Sequence, residues 1–489
     1  MACTTILIGK EAMADGSTFV ARNDDSPNGL FRAKNFVVVQ PEDQPKTYEA
    51  VLSKVKIPLP DKPMRYTSIP NADDVDGIWG CCGFNAANVF MSATETLTTN
   101  ERVLAADPLV EYQKAEEGQA EVPGGIGEED MVTLVLPYIH SAREGVKRLG
   151  KLLEEYGTYE MNGIAFQDED EIWWLETVGG HHWYAKRVPD DSYVIMANQL
   201  GVCDFDFADA LGTGKNHLCH HDLKAWTEKY HLARDQEENF NPRLAYGSHS
   251  DADHVYNTPR VWALQNFLNP SLAWEDVPES DDLPWALVPE AKLTVEEAKM
   301  ALSNHYQGTY YDPYGKGDHE EKHLFRPIAI NRNDALGGGH IRPDQPKACQ
   351  CLVWLAFASN VFNAFIPQYA NVNTTPVYFS NATEDRVDTD NFAWANRLIA
   401  ALCDAHFNDT ANLIERYQQS LQAANLRIVH DTDATIADKG LSFEDASPIL
   451  EEANEKIAQE TKKQTDQLLK AVLKTASNGM KNGFNRSDA

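Results

Sequence analysis

Cys3-Thr4-Thr5-Ile6-Leu7-Ile8-Gly9 and, after a short spacer, Asp15-Gly16-Ser17-Thr18-Phe19-Val20-Ala21-Arg22-Asn23-Asp24-Asp25 form the stretch that decides how this chain is read. The first run is rich in β-branched and aliphatic residues. Asp15-Gly16 is a turn signal, and Thr18 to Arg22 is again strand-like. Residues 3–25 are therefore expected to form a hairpin. Antiparallel strands joined in this way bring their far ends together, so the charged cluster Arg22-Asn23-Asp24-Asp25 returns beside Cys3.

That placement gives Cys3 a chemistry that position alone would not. If Met1 and Ala2 are removed, Cys3 carries a free α-amine. An α-amine titrates near ~7.7–8.0 and an ordinary thiol near ~8.5. The two match closely enough for the amine to act as general base for its own side chain, with no histidine required. Arg22 would favour the thiolate, and Asp25 would hold the amine. The competing reading is a salt-bridge cluster at a hairpin end.

Further along, Phe36 to Gln40 and Val51 to Ile57 read as strands, with another strand-like piece at Val89 to Ala93. One long helix is expected from Glu129 to Tyr156, because Val132, Leu136, Ile139, Val146, Leu149 and Leu153 recur at three- and four-residue steps. Four short strands follow, at Gly163 to Phe166, Ile172 to Thr177, Trp183 to Val188 and Tyr193 to Ala197. Ala348 to Ile366 carries no charge but holds Gln350, Ser359, Asn360 and Asn363, so it is read as buried strands rather than a membrane span. Helices are expected over about 391–425 and 443–476. No Gly/Pro/Ser linker divides the chain.

The 489 residues carry 74 acidic and 43 basic side chains, a net charge of −31. Phosphate binding needs clustered Lys and Arg, so nucleic acid is excluded as a partner, and docking on anionic lipid is disfavoured. The eight cysteines show no CxxC spacing, so neither a disulfide scaffold nor a Cys-based zinc site is expected. The start has no basic and apolar leader of signal-peptide type. The protein is expected to be cytoplasmic.

Met-Ala-Cys-Thr-Thr-Ile-Leu-Ile-Gly, Asp-Gly-Ser-Thr and Ala-Arg-Asn-Asp-Asp resemble the N-terminus of bacterial N-terminal-nucleophile (Ntn) cysteine dipeptidases of the dipeptidase A type, relatives of choloylglycine hydrolase and penicillin V acylase. Gly127-Glu128-Glu129-Asp130, Trp173-Trp174-Leu175-Glu176, Gly179-Gly180-His181-His182-Trp183, Tyr256-Asn257-Thr258-Pro259-Arg260 and Phe325-Arg326-Pro327-Ile328 are similar to the same pattern. The resemblance covers most of residues 3–380. It implies an α+β fold, the Ntn-hydrolase αββα sandwich of two antiparallel sheets between helical layers, with a helical C-terminal extension. The implied organisation is a propeptide of residues 1–2, a catalytic domain over 3–390, and a helical part over 391–489 packed on the same domain.

The resemblance also implies roles at individual positions. Cys3 matches the nucleophile, Arg22 and Asp25 the charged pair beside it, Asn198 an oxyanion-hole asparagine, and Arg260 a distant active-site arginine. The second oxyanion donor falls near Thr94-Glu95, where an ionised Glu95 could not donate. Broad hydrolysis of dipeptides follows, with no metal and no cofactor. A dipeptide's two free ends call for a carboxylate near its amine and a cation near its carboxylate, and Arg260 or Arg22 could be that cation. Homo-oligomer formation is left open.

Three alternatives stand beside this. The first is an amidase acting on acylated small molecules, and the second is a non-catalytic protein like the secernin relatives. The third is a zinc peptidase built on His319-Glu320-Glu321-Lys322-His323, which matches H-E-x-x-H. That pattern needs a helix, and here it follows a loop-like stretch, so a solvated charged loop is expected. The histidines at 181–182, 217–221 and 249–254 read as satisfied loop groups.

Overall fold

The computed structural model describes residues 3–26, 29–234, 240–272 and 277–480. The expected leader, Met1-Ala2, lies outside them. The N-terminal hairpin forms as anticipated. Strand Thr4–Ile8 pairs antiparallel with Thr18–Asp25, with Thr4 opposite Asn23 and Thr5 opposite Arg22. Gly16, at φ +75°, supplies the left-handed residue of the connection.

The hairpin sits at the centre of a seven-stranded sheet. Its order is Ala286–Leu287, Tyr193–Met196, Thr4–Ile8, Thr18–Asp25, Asn333–Ile341, Cys351–Phe357, Ile366–Tyr369. A six-stranded sheet runs His217–Cys219, His182–Arg187, Ile172–Val178, Asn162–Gln167, Phe90–Thr96, Cys82–Phe84. The named pairings within both sheets are antiparallel. Strands Thr18–Asp25 and Asn333–Ile341 of the first sheet contact the Phe90–Thr96 region of the second.

Gly337-Gly338-Gly339 lies where the sheets meet. A Cβ on Gly339 would stand 2.5 Å from the Phe90 ring, and one on Gly337 would stand 2.4 Å from Cys82 Sγ. Glycine here lets two sheets approach closely.

Helices cover the outer sides. Glu128–Val135 and Ala142–Tyr156 contact the six-stranded sheet. Val295–Leu302, Phe392–Asp404, Phe407–Lys439 and Phe443–Asn478 contact the seven-stranded one. The two longest meet at Gly440, whose φ of +57° ends the first, and Ser442, whose Oγ accepts from the Asp445 N–H at 3.1 Å and starts the second. Between the 342–369 region and these helices, Arg342 and Tyr369 both bond to buried Asp433. No helix is long and apolar enough to cross a membrane, among the described residues.

Three sequence expectations are corrected, the first being the helix over 391–425, which is two helices, Phe392–Asp404 and Phe407–Lys439. The single helix over 129–156 is two helices. Pro137 lacks an amide hydrogen and breaks the ladder, and Ser141 caps the second helix by accepting from the Glu144 N–H at 3.2 Å. The strand expected over 51–57 is a small hairpin of Thr47–Glu49 and Lys56–Pro58. The uncharged stretch near residue 350 does form buried strand, Cys351–Phe357.

Candidate functional site

Side chains alternate along a strand, and the hairpin register sorts the N-terminal cluster by face. Arg22 lies opposite Thr5, and the same register carried one residue further sets Cys3 opposite Asp24. Cys3, Thr5, Arg22 and Asp24 thus share the face turned toward the second sheet.

Arg22 is fully buried, and all five of its N–H donors are used. Nη1 donates to Cys3 Sγ at 2.9 Å and to the Thr94 carbonyl at 2.8 Å. Nη2 donates to the carbonyls of Cys81 and Ala93, and Nε to Ser92 Oγ. Several of these acceptors belong to strand Phe90–Thr96, whose pairing with its neighbour shifts between Ala93 and Glu95.

Carboxylates surround the same thiol. Asp24 Oδ1 is 3.7 Å and Glu128 Oε1 3.8 Å from Arg22 Nη1. Cys3, Asp24 and Glu128 each bring one polar atom within 4.8 Å of the others. Asp24 also pairs with buried Lys34 at 2.8 Å. Burial pushes the Asp24 carboxyl up, but Lys34 and Arg22 outweigh it and hold it below the ordinary range. Burial pushes the Cys3 thiol well above its usual value, against the pull of Arg22 and with the help of Glu95, Glu128 and Asp24. This environment therefore favours the protonated thiol over the thiolate.

Glu95 behaves differently from an ordinary surface glutamate. Its Oε2 accepts from Thr5 Oγ1 at 2.7 Å, and its Oε1 is buried without a hydrogen-bond partner. Burial pushes the carboxyl up to about 8, although Arg260, Thr5 and Arg22 oppose it. At neutral pH it is mostly a neutral acid that carries a proton it can donate.

Arg260 stands behind strand Thr4–Ile8, on helix Thr258–Leu268. It donates from Nη1 to the Cys3 carbonyl and to Thr4 Oγ1, from Nη2 to Asn198 Oδ1 and Asn257 Oδ1, and from Nε to the Tyr256 carbonyl. The four contacts other than that to Cys3 are each 2.7 Å. Burial and nearby Arg326 pull it down to about 10, which leaves it charged at neutral pH. Asn198 is fixed further by donating to the Thr96 carbonyl at 2.9 Å. Asn257 is itself held by Asp253, which also caps the preceding helix through Ser250.

Cys3, Arg22, Asn198 and Arg260 are thus linked by direct contacts. Asp25 is not part of that chain of contacts. Its two oxygens engage Arg326 and Asn333. The acid beside the thiol is Asp24. Arg22 and Arg260, either of which could be the cation near a substrate carboxylate, each engage five acceptors within the protein. Sequence reading did not single out Asp24, Glu128, Lys34 or Arg326 for this cluster. Period-two alternation from Arg22 would have found Asp24; the other three come from remote segments.

His319 and His323 lie in an exposed, non-helical turn, as the charged-loop reading expected. His181 and His182 are bonded to Asp107, at 2.9 and 2.6 Å through their ring nitrogens.

The chain belongs to the peptidases of family C69, whose family model matches residues 2–420. It is similar to a dipeptidase of Bifidobacterium longum, at 53% identity over the full length of both chains. It is 50% identical to a probable dipeptidase A of Streptococcus pyogenes, again over both full lengths. With a dipeptidase A of Lactobacillus helveticus it shares 43% identity over 96% of this chain and 95% of the other.

Proposed function

We propose that this chain is an Ntn cysteine dipeptidase of broad side-chain specificity, active once Met1-Ala2 is removed. Cys3 is its nucleophile and the α-amine of Cys3 its general base. The observation that carries the reading is the 2.9 Å contact between Arg22 Nη1 and Cys3 Sγ at the head of the first strand. The names of the full-length relatives support dipeptides as substrates. The contacts between two antiparallel sheets, with helices on their outer sides, support the four-layer αββα arrangement. Residues 391–489 are read as a helical part of the same domain.

In this mechanism the amine takes the thiol proton, and Arg22 stabilises the sulfur anion as it forms. Sulfur attacks the peptide carbonyl. Negative charge grows on the carbonyl oxygen and is met by the Asn198 amide, by backbone N–H groups near residue 95 and by the neutral Glu95 carboxyl. The protonated amine then gives its proton to the leaving amine. A water deprotonated by the same amine releases the acyl group. Arg260 positions the nucleophile strand and Asn198 together. Asp24 and Glu128 beside the sulfur favour a substrate with a free ammonium over an acylated one, and so a dipeptidase over an amidase.

The test is a dipeptide panel with wild type, Cys3→Ala and Cys3→Ser, with and without chelator. Loss of at least ~10³-fold in kcat/KM for both variants, with chelator inert, is expected. Activity retained by Cys3→Ala would refute the assignment, and chelator-sensitive activity would point to a metal.

A further inference from the structure

On the side of the seven-stranded sheet that faces the helices, a cavity of about 590 Å³ opens between helix Val295–Leu302, the segment 361–365 and helix Phe407–Lys439. It shares no lining residue with the surroundings of Cys3 described above. Its walls include Phe362, Phe365, Phe407 and Ile414, and its rim carries exposed Glu296 and Glu415. The volume falls within the range of small-molecule sites.

Lys299 lines this cavity, beside its aromatic wall. Only 9% of the residue is exposed. Its ammonium donates to Ser303 Oγ at 2.6 Å and to the Asn360 carbonyl at 2.7 Å, both neutral acceptors. No carboxylate among the described residues forms an ion pair with it. A buried charge is ordinarily paired, because burial without a counter-ion is costly. Here burial alone pulls the ammonium down to about 7. Two of three donors are used on neutral groups, and the counter-charge is missing.

We propose that this cavity is a second ligand site, which takes a small monocarboxylate with an apolar body and pairs its carboxylate with Lys299. The aromatic walls cover the body, and the ligand supplies the charge the protein omits. The other titratable groups around the cavity are Glu296, His305 and Glu415. Glu296 accepts from Gln422 at 2.8 Å, and His305 Nδ1 is bonded to Asp312 at 2.8 Å. Segment 361–365 contributes no charged side chain.

The experiment is calorimetric titration of the full chain with N-acetyl-L-phenylalanine, which lacks the free amine of a dipeptide, beside the neutral N-acetyl-L-phenylalaninamide. Saturable binding of the acid, at least tenfold weaker binding of the amide, and at least tenfold weaker binding of the acid to Lys299→Met are expected. At pH 8 binding should take up protons, read from titrations in buffers of different ionisation enthalpy. Dipeptide hydrolysis by Lys299→Met should match wild type, which separates this site from the Cys3 centre. No saturable binding of the acid, equal binding of acid and amide, or undiminished binding to Lys299→Met would each overturn the proposal. The acid–amide comparison uses only wild-type protein and stands even if the variant misfolds.

Discussion

Arg22 Nη1 lies 2.9 Å from Cys3 Sγ, and the other donors of the same guanidinium are fixed on Ser92, Cys81, Ala93 and Thr94. The arginine thus joins the head of one sheet to a strand of the other and aims one N–H at the sulfur. Its position is set by the acceptors of the second sheet, not by the thiol. The geometry around Cys3 therefore depends on how the sheets pack.

Arg22→Met removes that donor and leaves Asp24 and Glu128 with less compensation in a buried site. Breaking a buried charge pair costs about 3–5 kcal/mol, so a marked drop in melting temperature is expected, with at least a hundredfold loss of kcat/KM. Arg22→Lys keeps the charge but not the five-donor fork. It should melt above Arg22→Met and remain well below wild type in activity. Calorimetry and steady-state kinetics on the three proteins check both statements.

Glu95 sets a pH dependence whose sign is fixed. Its folded-state value of about 8 lies above the ordinary ~4.3 of a glutamate. Between those values the folded protein holds a proton that the unfolded chain has released. Stability is therefore greatest at low pH within this window and is lost as pH rises toward 8. Glu129, also pushed up to about 8 by burial, acts in the same direction. Glu95→Gln should flatten part of this fall and should remove an alkaline decline in kcat near pH 8. Melting curves and rate profiles from pH 5 to 9 measure both. An unchanged profile in Glu95→Gln would remove Glu95 from the oxyanion role.

Asn198 is held by Arg260 on one side and by the Thr96 carbonyl on the other. If its amide meets the developing oxyanion, Asn198→Ala should lower kcat by about 10²–10³ with little change in KM. Arg260→Lys should lower kcat as well, because a lysine cannot bridge Asn198, Asn257, Thr4 and Cys3 together.

Asp433 ties the long helix to the sheet through Arg342 and Tyr369. Asp433→Ala leaves Arg342 buried without its partner and should cost about 3–5 kcal/mol of stability. The folded fraction should keep wild-type kcat/KM. Chemical denaturation and active-site-normalised kinetics separate the two effects.

The hairpin was legible because its cues are local: strand-forming runs on either side of Asp15-Gly16. Four strands of the six-stranded sheet, Phe90–Thr96, Asn162–Gln167, Ile172–Val178 and His182–Arg187, were legible for the same reason, as short runs between turns, whereas the edge strands Cys82–Phe84 and His217–Cys219 were not. Pro137 was equally visible, yet the apolar spacing on both sides masked the break it imposes. Arg22 was found from the hairpin alone. Asp25 came from the resemblance, and by the strand's period of two it falls on the face opposite to that of Arg22 and Asp24. The link from Arg260 to Asn198 joins segments far apart in the chain, and the resemblance to a known family supplied both residues. The neutral state of Glu95 was not legible at all. It comes from burial between two sheets, which outweighs the opposing pull of three arginines, Arg22, Arg260 and Arg326, drawn from separate parts of the sequence.

The proposed nucleophile is an N-terminal cysteine that uses its own amine. Intact mass spectrometry of the active preparation tests it most directly, with dipeptide hydrolysis measured on the same sample. The expected result is a chain that begins at Cys3, with activity in proportion to the fraction so processed. A fully active protein that still begins at Met1 or Ala2 would contradict it.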